Sequence, residues 1–234
     1  MASVRTSPLP AGQRILLITV AIAAPLSVID SPYPDLAPLQ NIPTLFAVAG
    51  LALALRRWPL PTSAVACLSA FLLLHTLGGR YAYSYVPYDA WGRALGLPSL
   101  SRLLGLRRND YDRLVHFFFG LLLVPAIAAM LAGHLGLRRG PAVYVAVAFV
   151  LAGSALYEIF EWLLTLTMAG PAAEQYNGQQ GDIWDSQKDM ACAAMGAILS
   201  AIHLTLRYQL GAGAKWGRRA AGDVATETKS PPNV

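Results

Sequence analysis

The segment from Gly178 to Met190 places three aspartates directly before an apolar run that is long enough to cross a membrane. Asp182, Asp185 and Asp189 are spaced by three and four residues, so a helix that begins at Asp182 presents all three on one face. Carboxylates at a membrane border need partners, because an ionisable group within the bilayer costs free energy unless it is paired. The partner would be a metal ion, a proton or a basic side chain.

Three other apolar runs carry acids or imidazoles. Asp112 and His116 are four residues apart and share a helix face. Glu158 and Glu161 are three residues apart and, at 1.5 Å per residue, lie about 10 to 15 Å below the end of their run. His75 lies at mid-depth in a fourth run. Several helices therefore contribute acid or imidazole to one half of a bundle.

Such a cluster predicts metal chemistry. Several unprotonated carboxylates repel one another unless protons are shared or a cation lies among them. Histidine with aspartate and glutamate suits zinc, manganese or iron, and an oxygen-only subset suits magnesium. The candidate metal ligands are His75, His116, Asp185 and Asp189. The candidate catalytic residues are Glu158, Glu161 and Asp112, with either glutamate as a further ligand or as the general base. The candidate substrate-binding residues are Arg80, Arg113, Tyr81 and Tyr83, the arginines as anion holders.

A structural alternative is that these acids pair with bases and lock the helix ends together. The available bases are Arg80, Arg93, Arg108, Arg113 and Lys188. Such pairing readily explains Asp110, Asp112 and Asp189. It explains Glu158 and Glu161 less well, because only His75 offers a basic group at their depth.

The composition predicts an integral membrane protein that folds as a single all-α bundle. Of 234 residues, 55% are hydrophobic and 13% are charged, against about 25% charged in soluble domains. Six runs approach the roughly 20 residues that a span needs. The predicted spans are 14–30, 39–55, 62–79, 112–133, 142–168 and 187–208, and residues 212–234 are predicted to be a disordered tail. The first run also resembles a secretory signal peptide, and that alternative stays open.

The positive-inside rule predicts that both termini are cytoplasmic. This orientation puts most bases inside, namely Arg5, Arg14, Arg56, Arg57, Arg138, Arg139, Arg207, Lys215, Arg218, Arg219 and Lys229. The long 80–111 connection is then outside, with an interfacial segment near Leu95 to Leu106. Every acid except Asp223 and Glu227 falls on the outer side or in the outer half of a span. The site is therefore expected to face outward.

Several other functions lack a motif. The bases lie in short clusters between apolar runs, which is typical of membrane topology and gives no nucleic-acid surface. No serine-hydrolase elbow, zincin helix or C-x-x-C pair occurs. Cys67 and Cys192 fall at different predicted depths, so we expect no disulfide.

Four blocks resemble the YjdF-like family of bacterial inner-membrane proteins. They are His75 to Tyr83 with Val86-Pro87, Arg108 to Phe117, Glu158 to Trp162, and Gly178 to Met190. The resemblance runs from about residue 40 to 208, and its most specific part is the G-x-Q-G-D-x-W-D-x-Q-x-D-M string. It implies a multi-pass protein of the bacterial inner membrane. Ala82 stands where the resemblance implies a hydroxyl between two tyrosines.

Three functions follow as hypotheses. The first is a metal-dependent, membrane-embedded enzyme acting on a lipid-linked or other amphiphilic substrate at the outer leaflet. The second is a proton- or ion-coupled transporter in which Glu158 and Glu161 titrate. The third is a non-catalytic scaffold in which the acids only join helices.

Overall fold

The computed structural model describes the backbone of residues 8–167 and 170–227, and the side chains of residues 8–167, 170 and 173–210. All regular structure in these residues is helical. The helices are α1 Ala11–Val28, α2 Leu36–Arg57, α3 Thr62–Arg80, α4 Tyr88–Ala94, α5 Leu100–Leu104, α6 Tyr111–His134, α7 Arg139–Thr167, α8 Gly170–Asn177 and α9 Asp185–Glu227. The predicted all-helical class is confirmed.

Six of these helices are long and apolar enough to cross a membrane: α1, α2, α3, α6, α7 and α9 as far as Leu210. Each coincides with one predicted span. Helices suit this role because every backbone hydrogen bond is made within the segment, where no water is available. The proposed tail, residues 212–234, continues as α9 backbone to Glu227, and residues 228–234 lie outside the described part. Its disorder stays a prediction.

The spans form two groups of three that meet at one interface. In the first group α1, α2 and α3 pack on one another, and in the second α6, α7 and α9 do so; α3 packs on α6. Leu17 and Val20 of α1 share a core with Val65 of α3, so the first span is part of the bundle here. Val124 and Ala197 belong to the core of the second group.

The main chains of α6 and α9 touch at two glycines. A Cβ atom at Gly120 would meet the carbonyl oxygen of Ala193, and one at Gly196 would meet that of Phe117. Only glycine permits this approach, as in other close helix pairs in membranes. The last span therefore packs on α6 through small residues, Ala193 and Gly196, and the contact fixes Asp112 and His116 relative to Asp189.

One end of the bundle, here called the acidic end, collects the C-terminal ends of α3 and α7 and the N-terminal ends of α6 and α9. The connection between α3 and α6 holds α4 and α5, and the connection between α7 and α9 holds α8. Leu95, Leu103 and Leu104 are exposed in the first connection, at 76%, 65% and 63%. Exposed leucines suit the interfacial position predicted for this segment, and the side of the membrane stays a prediction.

Candidate functional site

Two arginines bind the outermost acids of the acidic end. Arg108 Nη1 lies 2.6 Å from Asp185 Oδ1. Arg113 Nη1 lies 2.9 Å from Asp110 Oδ1, and its Nη2 lies 2.6 Å from Asp182 Oδ2 and 3.0 Å from Asp185 Oδ1. We call these five residues the arginine clamp. Charge-assisted contacts of this kind are the strong ones, so two arginines hold three aspartates, and Lys188, beside Asp182, supplies the third positive charge.

The clamp also holds the loop before α9. Arg108 donates to the carbonyl oxygens of Gln179 at 2.7 Å and Gly178 at 3.1 Å. Gly178 and Gly181 have φ values of 67° and 79°, which suit glycine. A Cβ atom at Gly178 would lie 2.5 Å from Ser84 Oγ and 3.9 Å from Asp112 Oδ2. The loop therefore lies directly over Asp112, and the two glycines allow it to turn there.

Asp182 begins the α9 turn. Its Oδ1 accepts from the backbone N–H of Trp184 at 3.1 Å, and its Oδ2 lies 2.5 Å from Lys188 Nζ. Lys188 first, then the Trp184 N–H and Arg113, hold the pKa of the Asp182 carboxyl well below its usual range. Asp182 is therefore ionised across the physiological range and has a structural role.

Beneath the clamp lies a group that we call the buried triad: Asp112, His116 and Asp189. One ligand atom from each lies within 4.8 Å of the others. The three residues are only 7%, 8% and 3% exposed. In the described part of the chain, neither carboxylate of the triad forms an ion pair with lysine or arginine.

Glu158 extends the triad. Its Oε1 lies 3.5 Å from His116 Nε2, which lies 3.8 Å from Asp112 Oδ1. Glu158 Oε1 and Asp189 Oδ1 are buried and have no hydrogen-bond partner among the described atoms. Glu161 is half-buried one turn along α7, with its carboxyl beside the Tyr157 hydroxyl. Buried oxygens without partners are costly, and such groups usually indicate an ion, water or ligand.

The donor set suits a transition metal. Two carboxylates and one imidazole are ligands of zinc, manganese or iron, whose bonds to oxygen and nitrogen are about 2.0 to 2.2 Å. Ligands bound to one ion would lie about 3 to 3.6 Å apart. The ligand atoms of the triad lie within 4.8 Å of one another. Side-chain rotations that move each of these atoms by about an ångström would bring all three within bonding distance of one ion.

His75 and Tyr83 form a separate pair. His75 Nε2 lies 3.1 Å from the carbonyl oxygen of Gln40, and its Nδ1 contacts the Tyr83 hydroxyl. A carbonyl oxygen only accepts, so in the neutral ring Nε2 carries the proton and Nδ1 accepts from Tyr83. Burial raises the pKa of the Tyr83 phenol well above its usual value. His75 is thus held beside the triad rather than in it.

His75 and Tyr83, together with Asp112 and His116 of the triad, line one cavity of about 290 Å³. Its walls come from α2, α3, α6 and α7, with Tyr83 at one end. The polar groups that face it include His75, Tyr83, Asp112 and His116. Nearly all of the remaining wall is apolar. An apolar pocket with a few convergent polar groups is the usual form of a small-molecule site.

The other predicted substrate contacts lie elsewhere. Arg80 donates to the carbonyl oxygens of Ser27, Ile29 and Asp30 at 2.9, 2.8 and 3.1 Å, and so closes the C-terminus of α1. The Tyr81 ring packs on Trp91. Arg113 is bound in the arginine clamp. Both guanidinium groups proposed as anion holders therefore already have acceptors.

The structure regroups the predicted ligands. It brings His116 and Asp189 together and adds Asp112, which the sequence assigned to catalysis. It places Asp185 in the arginine clamp. The sequence suggested that pairing with basic residues explains Asp110, Asp112 and Asp189. In the structure such pairing explains Asp110 and also Asp185, but it does not explain Asp112 or Asp189. Arg108 was visible only as one of several possible partners, and Tyr157 gave no signal beyond its place next to Glu158.

Comparison with known proteins is consistent with this architecture. The model of a family described as "Predicted membrane protein (DUF2238)" matches residues 12–209, a range that contains the clamp, the triad and the cavity. The chain is 35% identical over 169 residues to "Inner membrane protein YjdF" of Escherichia coli (strain K12), covering 71% of this chain and 76% of that protein. No solved structure matches the chain.

Proposed function

Because this chain belongs to the DUF2238 family of membrane proteins and is a multi-pass protein of the inner membrane, we propose that it is a metal-dependent, membrane-embedded enzyme. Its substrate would be a lipid-linked or other amphiphilic molecule in the leaflet at the acidic end, which the charge distribution predicts to be the outer leaflet. One observation carries this proposal: the buried triad has no basic partner among the described residues and faces an apolar cavity.

The proposal rests on charge balance. The bases nearest to the triad, Arg108 and Arg113, each already bind aspartates of the clamp. Asp112, Asp189 and Glu158 are buried close together. Buried carboxylates do not remain ionised without a cation or a shared proton. A divalent ion would neutralise two of them and use His116 as a neutral ligand.

The roles of the residues follow from their positions. Asp112, His116 and Asp189 would hold the ion and leave positions open for water and substrate, as in catalytic zinc sites. A bound ion acts as a Lewis acid and makes a water molecule reactive near neutral pH. Glu158, whose Oε1 lies 3.5 Å from His116 Nε2, would take the proton of that water. Glu161, on the same helix, is the alternative general base. Tyr83, which lines the cavity and donates its hydroxyl proton to His75, would help to position the substrate beside the ion.

A proton-coupled transporter is a second candidate. The partnerless oxygens of Glu158 and Asp189 would also suit carboxyls that carry protons. A transporter needs a polar path across the whole membrane. In the half of the second group away from the acidic end, the described core is apolar, with Val124, Leu131 and Val143, and this favours the enzyme. Retention of all function without any metal would favour the transporter.

Elemental analysis tests the proposal. After mild detergent extraction, we expect about one zinc, manganese or iron ion per chain, since a three-ligand site holds one ion. Asp112→Asn and Asp189→Asn, which keep side-chain size, should lose the ion, and a chelator should lower the thermal midpoint of the wild type but not of these two variants. The exposed Glu174→Gln is the matched control and should keep the ion. Metal-free wild-type protein that ignores both added metal and chelator would contradict the proposal.

A further inference from the structure

The acid and the imidazole that line the cavity are buried, since Asp112 is only 7% and His116 only 8% exposed. The loop at Gly178 lies over Asp112, and Arg108 ties this loop to Asp185 and to the start of α6. Ser84 Oγ donates to the Gly178 carbonyl oxygen at 3.2 Å and adds a second tie. A substrate coming from the aqueous side would have to break the arginine clamp.

The cavity lies between helices of the two groups. Its floor is formed by α3 and α6, through Phe71, Leu72 and Phe119. Its two side walls are Pro43 to Ala47 of α2 and Gly153 to Tyr157 of α7. In the described chain these two helices belong to different groups and are not among the pairs that pack closely. The gap between α2 and α7, here called the cleft, is therefore the candidate opening of the cavity towards the lipid.

The rims of this cleft are apolar. On α2, Ile42 and Phe46 are 51% and 75% exposed, and on α7, Phe149 and Leu156 are 64% and 65% exposed. Side chains of this kind on a spanning helix lie in hydrocarbon, because exposing them to water would be unfavourable. Whatever enters the cleft therefore comes from among the acyl chains.

The size of the cavity limits the occupant to one chain. An apolar cavity of about 150 Å³ takes a benzene molecule. A cavity of about 290 Å³ therefore has room for roughly a dozen carbon atoms. This is one segment of a single acyl chain, with the polar groups Asp112, His116 and Tyr83 at its end.

We propose that the cleft between α2 and α7 binds one acyl chain of a membrane phospholipid, which enters sideways from the bilayer and places its polar head group at the buried triad. The reaction of the head group at the triad rests on the proposed function. The new element is the apolar part of the substrate, one acyl chain. The aqueous face stays closed by the arginine clamp while the lipid side stays open.

Photocrosslinking tests this inference. The protein is placed in nanodiscs that contain phosphatidylglycerol with a diazirine in one acyl chain, and adducts are located by peptide mass spectrometry. We expect adducts at residues that face the cavity rather than the surrounding lipid, namely Thr44, Phe71 and Phe119. Ala47→Trp, at the α2 wall, should lower these adducts about tenfold, the loss expected when roughly two methylene groups can no longer be buried.

Ala49→Trp is the matched control, since Ala49 lies about 200° around α2 from Ala47 and is also exposed; it should leave the adducts unchanged. Asp189→Asn separates the two proposals, because it removes a metal ligand without filling the cavity. Adducts that persist in Asp189→Asn while metal is absent from the wild type would support the acyl site and overturn the metal enzyme. Adducts confined to Phe46, Phe149 and other lipid-facing side chains, or unchanged in Ala47→Trp, would overturn the acyl site.

Discussion

At the residue scale, what distinguishes the acids of this protein is their partners rather than their types. Asp185 and Asp189 are one turn apart on α9, yet Asp185 contacts two arginines and Asp189 contacts no base in the described part of the chain. An aspartate bound to arginine is neutralised and holds the fold. A buried aspartate without such a partner requires a cation or a proton. This difference divides the acidic end into a structural layer and a candidate reactive layer.

Asp182 belongs to the structural layer and makes stability depend on pH. Lys188, the Trp184 N–H and Arg113 lower the pKa of Asp182 in the folded state, so the unfolded state binds the proton more readily. The stabilisation is therefore present above the ordinary aspartate pKa of about 4 and is lost as pH falls below it. We expect Asp182→Asn to lower the thermal midpoint at pH 7, and the difference from wild type to shrink towards pH 3.

Thermal unfolding in detergent between pH 3 and pH 7 measures this effect. Glu174→Gln, an exposed acid of α8, should show no such difference and serves as the control. A midpoint difference for Asp182→Asn that is independent of pH would show that the carboxylate charge does not stabilise the α9 start.

At the element scale, the contact between α6 and α9 decides where the triad lies. Two of its members come from α6 and one from α9. The glycines at 120 and 196 allow the two main chains to touch. Without this approach the ligand atoms of Asp112 and Asp189 would lie further apart by about the width of a methyl group or more. The small residues of these helices therefore serve the site as well as the packing.

Gly120→Ala should separate α6 from α9. The new Cβ atom would meet the Ala193 carbonyl oxygen, and main chain cannot rotate away as a side chain does. We expect a loss of about 1 to 3 kcal/mol of stability, the usual cost of overpacking, together with weaker metal binding. Gly133→Ala, on the same helix, has nothing within 4 Å of its Cβ position and should leave both quantities nearly unchanged. Equal effects of the two substitutions in unfolding and metal titration would exclude a special role for the glycine contact.

At the scale of the whole molecule, the closest packing between the two three-helix groups in the described chain is that of α3 on α6. This arrangement leaves space between α2 and α7, and the cavity occupies that space. The arginine clamp and the loops of 81–110 and 178–184 cover the acidic end. The result is a buried polar cluster beside an apolar cavity, the arrangement on which the proposal of an amphiphilic substrate rests.

The predicted orientation puts this end outside the cell membrane. In a chain with Cys67 and Cys192 replaced by alanine, an impermeant maleimide should label Leu104→Cys in cells whose outer membrane is permeabilised. Leu135→Cys, between α6 and α7 at the opposite end, should be labelled only after the inner membrane is broken, because the positive-inside rule places it in the cytoplasm. Both positions are 63% exposed, so they are matched in accessibility. The reverse labelling pattern would move the proposed chemistry to the inner leaflet.

The sequence by itself determined the elements and the relations within each helix. Apolar length predicted the six spans, and helical periodicity put Asp112 with His116 and Asp185 with Asp189, because 3.6 residues per turn fixes these angles locally. The Gly178 to Met190 segment was also recognisable as the start of the last span.

Only the tertiary structure decided which acids meet which partners. Arg108 reaches Asp185 across 77 positions of the chain, and the Gln40 carbonyl oxygen holds His75 away from the triad. Such distances depend on loop conformation and on how closely helices approach, and neither has a period in the sequence. The sequence therefore predicted a cluster of acids, and the fold separated Asp185, which is paired with arginine, from Asp189, which has no lysine or arginine partner among the described residues.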